Sequence, residues 1–516
     1  MNTFFGRIAC GLVFLQFMGA SVALPHPAAP EYFHDVPFTR RDVPVAQIQR
    51  ELGSLLSKGT VIIGPSDAGW ANATERWNTA TEPRDLKLVV RPAQESDVSK
   101  IVKYCNRNSI EFLATNRGHG ASESVATLRG IEIDMKGLTS IKIQPGGKSV
   151  LVQGGQYIGD VVRTLWAAGY VTSTGSNNCV GFVGPALGGG HGRYQGLHGL
   201  ASDNFINLNV VLADGSTIKV NKDSHSDLFW ALQGAGHNFG IVTSAESKIY
   251  PRKIDTWHYH NYVWSQDKLE VLFERLNAFH KDGKTPPEMG VEFGSMLINP
   301  SFNTTDPVLS WNFAYAGSAE AAEKLLKPFN DIPALSQEKG DVPYPEIAGI
   351  QGMAEGGPGC LSNLKAGTSV GLRTYNVTSQ RQILTLFNAT MASYPTLAAG
   401  GVIFYEGYST KTVQAVDPAL TAYPHRDDLH LAFTTFVIPS SELMAPAQKL
   451  AIAIRDVWYA SQPGRRPTTY SNYATGDESL ESIYGYEPWR MQRLLGLKAK
   501  YDPHNRFRFY VPLIKG

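Results

Sequence analysis

The run TGSNNCVGFVGPALGGGHGRYQGLHGLASDN, residues 174–204, holds nine glycines in 31 positions. An ordinary helix or strand does not carry that density, because glycine loses more backbone freedom on folding than any other residue. Bare backbone is useful where the chain must approach a large, flat, phosphate-bearing cofactor, whose oxygens are held by N–H groups that side chains would cover. A shorter run of the same character lies upstream, Asn116-Arg117-Gly118-His119-Gly120-Ala121-Ser122. The two runs are read as opposite walls of one site.

At 516 residues the chain exceeds what one core organises well, so two domains are expected. Lys+Arg 47 against Asp+Glu 46 leaves no electrostatic footprint for nucleic acid or an acidic membrane face. With 30 prolines and 50 glycines the composition suits a loop-rich enzyme around a sizeable pocket. Arg7, an apolar run from Ile8 to Ala20 and then Ser21-Val22-Ala23 read as a secretory signal over residues 1–23. No later segment reaches the roughly 20 apolar residues that a membrane span needs. Sequons at Asn72, Asn303, Asn376 and Asn388 agree with a secreted glycoprotein. Removal of Cys10 with the signal leaves Cys105, Cys179 and Cys360, an odd number. A disulfide framework is not expected, although one pair beside one free thiol is possible and the spacing does not say which. No metal is expected, since the cysteines are far apart and His-Glu-x-x-His is absent.

After a leader to about residue 80, Leu86 to Val90 reads as a strand stopped by Pro92, and Ser96-Asp97 as the cap of a helix bearing Val98, Ile101, Val102 and Cys105 on one face. Ile110 to Thr115 is a strand that delivers the chain into the Arg117–Gly120 loop. Further strands are expected over 130–135, 140–144, 149–152, 206–212 and 217–220, with Asp214-Gly215 as a hairpin turn. A helix is expected over 157–168 and a strand over 241–250. From about residue 252 to 463 the composition changes, which suggests a second domain. The tail from Tyr470 regains glycine- and aromatic-bearing motifs and is expected to return to the first.

Gly234 to Gly240 has the spacing of a dinucleotide-binding turn, but it follows a helix and precedes a strand, the reverse of what that turn requires. Gly367-Thr368-Ser369-Val370-Gly371 matches a nucleophile elbow, and His425, His430 or His504 with Asp417 or Asp427 completes a hydrolase triad in the right chain order. Neither flank of that motif resembles the strand and helix an elbow needs. His119 and His191 both sit between glycines, and an imidazole can act as a nucleophile toward an electrophilic cofactor carbon. Spacing alone does not choose between them.

Taken in order, Arg117–Gly120, Val180–Gly192, Gly199–Asn204, Asp227–Ala231 and Asn238–Thr243 resemble the FAD domain of the p-cresol methylhydroxylase and vanillyl-alcohol oxidase superfamily. Ser471-Asn472-Tyr473 and Lys500–Phe507 resemble the carboxy-terminal signature of its berberine-bridge-enzyme-like branch, in its fungal secondary-metabolite form. The resemblance implies an α+β fold: a two-subdomain FAD-binding domain over 81–252, a mixed-sheet-plus-helices substrate domain over 253–463, and a return segment over 464–516. It implies a flavin bonded to His119 at its 8α carbon. It implies no cysteinyl link, because the position of the second attachment holds Asn177, and it leaves Cys179 as a packed or free thiol.

Beside the upstream run, the cofactor residues implied are Gly175, Ser176, Gly181, Gly184, Ala186, Gly188, Gly189, Gly190, Gly192, Ile241, Val242 and Asn472. Backbone N–H groups would hold the diphosphate and Asn472 would address the ring, while a small residue at Ala186 favours access of O2. Tyr470, His430 and Glu406 are the candidate catalytic bases. The implied function is a secreted, monomeric oxidase that takes hydride from a small organic substrate and releases H2O2, with ring closure as an analogy. The alternatives are a carbohydrate or alcohol oxidase or dehydrogenase of the same fold, a hydrolase acting through Ser369, or a protein whose flavin only shapes a cavity.

Overall fold

Leu88, Val89 and Val90 are all fully buried, as befits an inner strand covered on both faces. They form β2 (Leu88–Arg91), which with β1 (Val61–Ile63), β3 (Glu111–Thr115) and β4 (Gly130–Asp134) makes a four-stranded sheet in the order β1-β2-β4-β3. β2 and β3 both run parallel to β4. The computed structural model describes residues 41–514, so the expected signal segment lies outside the described residues. The crossover from β2 to β3 is α1 (Glu95–Arg107), whose Val98, Ile101, Val102 and Cys105 are buried. Its cap is Gln94 rather than Ser96-Asp97, because the Asp97 carboxylate reaches back to the Gln94 N–H and also takes the Ser57 and Thr60 hydroxyls.

A second sheet is antiparallel: β5 (Ile141–Ile143), β6 (Ser149–Gln153), β7 (Phe205–Val211), β8 (Thr217–Val220) and β9 (Ile241–Lys248), in the order β5-β6-β9-β7-β8. The glycine run fills the interval between α2 (Ile158–Ala167) and β7 and contains the short α3 (Val183–Leu187). One wall therefore leaves the end of β3 and the other leads into β7.

Residues 257–437 build a seven-stranded antiparallel sheet from β10 (Trp257–Ser265), β11 (Met289–Leu297), β12 (Val308–Ala316), β13 (Ser336–Val342), β14 (Lys365–Leu372), β15 (Gly401–Gly407) and β16 (His430–Val437). Their order is β13-β10-β12-β11-β15-β16-β14. Helices α4 (Leu269–His280), α5 (Val377–Ser393) and α6 (Met444–Ala460) share a core with one face of it, where Phe273, Trp311, Tyr405, Phe387 and Trp458 are buried together. The period of two along β15 sends Tyr405 into that core and Phe404 and Glu406 to the other face.

The tail helix α7 (Pro488–Tyr501) puts Leu494, Leu497 and Tyr501 into the same cluster as Val210, Leu228 and Phe239. Lys498 within it is fully buried, and its ammonium donates to Asp502, Asn238 O and Phe507 O. All three of its N–H donors are thus used, which makes burial of the charge tolerable. Among the described residues no helix is long and apolar enough to cross a membrane.

Two sequence readings are corrected here. Ser369 lies in the middle of β14, opposite Phe433 of β16, with its hydroxyl donating to Tyr473 O at 3.1 Å. It is a strand residue, and the strand-to-helix turn of a nucleophile elbow is not there. Cys179 is not a free or merely packed thiol: it forms a disulfide with Cys360 across 181 residues, and Cys105 is the free, buried one. The bridge joins the glycine run to the turn Pro358–Cys360 that precedes β14. Cys360→Ser should destabilise the protein by about 2–5 kcal/mol, read as a lower apparent Tm at fixed scan rate; an unchanged Tm would show that packing alone holds the two segments together.

Candidate active site

β3 ends at Thr115 and the chain turns sharply, with Gly118 at φ +66. A Cβ there would lie 3.0 Å from Glu75 O and 3.1 Å from Arg76 Cδ, in a conformation that other residues rarely adopt. Among the described residues, the five successive N–H groups from Gly118 to Ser122 have no protein acceptor. The Arg117 guanidinium lies over the Tyr157 ring and donates to Gly155 O, while its buried Nε has no partner, nor does Asn116 Oδ1. Arg117, Lys136, Tyr157, Trp77 and His119 line a cavity of about 440 Å³, which the Cys179–Cys360 bridge also borders. Unpartnered amides, two cations and an aromatic wall form the donor set that a dinucleotide diphosphate requires, so these residues fit the flavin nucleotide the sequence implies.

Geometry separates the two histidines. His119 keeps Nδ1 3.2 Å from Arg117 O and turns Nε2 toward the bridge, 3.4 Å from Cys179 Sγ. Burial, with help from Lys365 and Arg117, pushes its pKa down to about 4, so the ring is neutral and carries a lone pair at pH 7. His191 has both nitrogens engaged, Nδ1 with Gln195 Oε1 at 2.9 Å and Nε2 with the Tyr423 hydroxyl at 2.6 Å. It is a structural histidine.

The second wall is shaped by close packing within the protein. Gly181 has no room for a Cβ because Asn116 of the first wall lies against it, and Gly188 has none because Asn472 and Ser471 of the tail do. Gly189 (φ +115) and Gly190 (φ +83) touch Tyr423 and Ala201 in the same way, and Gly192 touches Thr174 O. Gly184 faces open space, and Gly175 meets only Ile158. Ala186 is fully buried in α3, and Ile241 and Val242 are buried at the start of β9. Ser122 is buried with its hydroxyl on Ser124, beside Ala121 and Gly120, where a Cβ would strike the Tyr510 ring. Asn472 donates to Pro185 O and to the Tyr470 hydroxyl.

Of the three candidate bases, the structure brings one to the cofactor side with a suitable proton affinity. Glu406 is buried; its Oε1 accepts from the Tyr473 hydroxyl at 2.8 Å and its Oε2 from the Tyr408 hydroxyl at 2.9 Å. Burial raises its pKa to about 7, against the opposing pull of both phenols and of Arg193. Tyr408 meets Ser176 of the second wall at 3.1 Å, which joins this carboxyl to the glycine run, and Arg193 donates to Ser176 O within the run. Tyr470 accepts from the N–H groups of Gly190 and His191 as well as from Asn472, which makes it a positioning residue for the wall. His430 pairs across the sheet with Gly407, one residue past Glu406, and therefore occupies the opposite face; it is not a base for this site. Tyr408, Tyr473 and Arg193 escaped the sequence-based selection. The one local signal was an acid in an otherwise apolar strand with a tyrosine two residues on.

Because the carboxyl binds its proton more tightly in the folded protein than at the ordinary 4.5, the folded state holds more protons than the unfolded one between pH 4.5 and about 7. Stability contributed by this group is complete below pH 4.5 and is lost as pH rises through about 7. In Tm measurements at pH 5 and pH 8, Glu406→Gln should lose less stability than the wild type over that interval; equal slopes would refute the buried carboxyl's raised affinity.

Residues 86–221 match the family model described as an FAD binding domain. The FAD-linked oxidoreductase iacH of Pestalotiopsis fici is 50% identical over 493 residues, covering 95% of each chain. Among solved structures, the wild-type berberine-bridge-enzyme-like protein 1 of Physcomitrella patens superposes with a TM-score of 0.77 at 21% identity, over 92% of this chain and 100% of that one. Glucooligosaccharide oxidase of Acremonium strictum, which has a 6-S-cysteinyl, 8α-N1-histidyl FAD, superposes with a TM-score of 0.74 at 21% identity, over 91% of this chain and 100% of that one.

Proposed function

The chain belongs to the berberine-bridge-enzyme-like FAD-linked oxidoreductases, and we propose on that premise that it is a secreted oxidase with a single histidyl flavin link and Glu406 as its catalytic base. Bound FAD supplies hydride acceptance from a substrate C–H and reoxidation by O2 with release of H2O2. Glu406 removes the proton from the substrate's O–H or N–H. Its raised pKa places it near the operating pH, where a general base is most effective. Tyr408 and Tyr473 hold its two oxygens in place, and their own hydroxyls stay protonated because burial holds both pKa values well above the usual phenol range. The substrate lies against the same sheet face, where the half-buried Phe404 and Phe433 lie side by side between Ser295 and Ser369. That face suits a ring-bearing alcohol, and a carbohydrate could use the same base.

The observation that carries the covalent link is the neutral His119 imidazole on the wall of the cavity beside five unpartnered N–H groups. The oxidase from Acremonium strictum carries its FAD on a histidyl and a cysteinyl bond. Here the cysteine nearest His119 is committed to Cys360, which supports one bond only. Small Ala186 in the second wall supports O2 as the acceptor. Asn72 and Asn376 are exposed and Asn303 half-exposed, as glycan acceptors should be, whereas the Asn388 amide donates to Gln266 from within α5 and is a poor one.

After acid precipitation the yellow colour should stay in the pellet for wild type and pass to the supernatant for His119→Ala; wild-type flavin that washes out would overturn the covalent link. With any alcohol that bleaches the flavin under nitrogen, Glu406→Gln should slow bleaching by about 10²–10⁴-fold at unchanged flavin content. A rate within threefold of wild type would remove Glu406 as the base.

A further inference from the structure

On the far face of the substrate sheet lies a second group of chemistry-bearing side chains that the oxidation does not use. Glu292 of β11 and His430 of β16 both stand opposite Gly407 of β15, one from either side, so their side chains share the face turned away from Glu406. His280, the last residue of α4, comes down onto the same spot. Gly407 leaves the space open, since a Cβ there would overlap Glu292 Oε1 and sit 2.9 Å from His280 Cε1. The three residues are 2%, 0% and 2% exposed, and one donor atom of each lies within 4.8 Å of the others.

The hydrogen-bond accounts here do not close within the protein. Neither Nδ1 nor Nε2 of His430 has a partner, and the hydroxyl of Tyr375, whose ring stacks on His430 at 4.1 Å, has none. A buried polar atom left unpaired loses its hydration without replacement, and three of them meet here. The neighbours, by contrast, are oriented. Thr285 Oγ1 contacts His280 Nδ1 at 2.8 Å and turns Nε2 to Glu292 Oε1 at 3.2 Å, while the other carboxylate oxygen accepts from Trp311 Nε1. An imidazole fixed through its outer nitrogen and a carboxylate fixed through its outer oxygen are what metal ligands have in their surroundings.

We propose that His280, Glu292 and His430 hold one divalent transition-metal ion of the zinc class, which fastens α4, β11 and β16 together beneath the substrate sheet. Two neutral imidazoles and one carboxylate suit that ion. Zinc bonds of about 2.0–2.2 Å set donor atoms about 3.3–3.5 Å apart; the His280–Glu292 pair is close to that spacing at 3.2 Å, and a His430 nitrogen lies within 4.8 Å of both. The other histidine–carboxylate group, His258, His260 and Glu323, has every donor atom paired within the protein and serves as the control.

The test is metal analysis of the untagged holoenzyme after exhaustive dialysis. About one zinc-class ion per chain is expected in wild type and in His258→Gln, and less than a tenth of that in His430→Phe, with flavin content preserved. Tm should fall in His430→Phe. Should that variant fail to fold, dipicolinate treatment of wild type should lower Tm, with recovery on addition of zinc. The proposal is overturned by metal-free wild type whose Tm is indifferent to dipicolinate and zinc, by metal retained in His430→Phe, or by a rise in that variant's Tm, which would mean that water or bare packing fills the place.

Discussion

Side chains are shut out of the second wall by protein atoms from segments far apart in the chain: Asn116 at Gly181, Ser471 and Asn472 at Gly188, Tyr423 at Gly189 and Ala201 at Gly190. This close approach is the constraint on which the rest rests, because it is where the first wall, the loop before β16 and the returning tail all meet. A methyl group at any of these positions would push one of those segments outward. The tail is then held by Tyr470 and Asn472 on the wall, and by the buried Lys498 ammonium on Asn238 O and Asp502. Glycine-rich backbone here serves assembly first, and of the positions named above Gly184 alone has open space beside it.

Similar side chains acquire different chemistry from their surroundings. His119 is half-buried and His191 buried, and desolvation drives the pKa of each to about 4. One has its nitrogens consumed by Gln195 and Tyr423, and the other faces a cavity bordered by cations. Tyr470 and Tyr473 stand three residues apart, yet the first serves backbone amides and the second a carboxylate. Identity gives a residue its repertoire, and hydrogen-bond partners select from it.

Much of the architecture was legible because it is written in local periods. The apolar face of α1, the buried run in β2, the Asp214-Gly215 hairpin and the glycine density of the second wall can each be read within a dozen residues. Features that depend on distant pairs were not. The Cys179–Cys360 bridge spans 181 residues, the cage around Glu406 takes Tyr408 from its own strand end and Tyr473 from the tail, and no spacing rule joins such positions. The glycine run was located correctly from sequence, but half of its cause lay in Asn116, Tyr423 and the tail. The elbow-like Gly367–Gly371 motif, whose flanks did not suit an elbow, is a strand whose glycines let Thr434 and Asp428 approach.

The substrate sheet also shows how one position of register divides two roles. Glu406 and Gly407 are neighbours on β15, opposite Leu431 and His430 of β16 respectively. Since successive residues point to opposite faces, Glu406 is turned toward the flavin walls with Leu431 beside it, and His430 is turned into the aromatic layer beneath with Tyr375 and His280. A slip of β16 by one residue against β15 would turn His430 to the upper face and Leu431 to the lower one, with Glu406 left where β15 places it. Nothing along β16 alone distinguishes the two outcomes, because both faces of HLAFTTFV mix apolar residues with a threonine. What fixes the register is Gly407: it is the residue on β15 that gives Glu292 and His280 room on one face, and that requirement places Glu406 on the other.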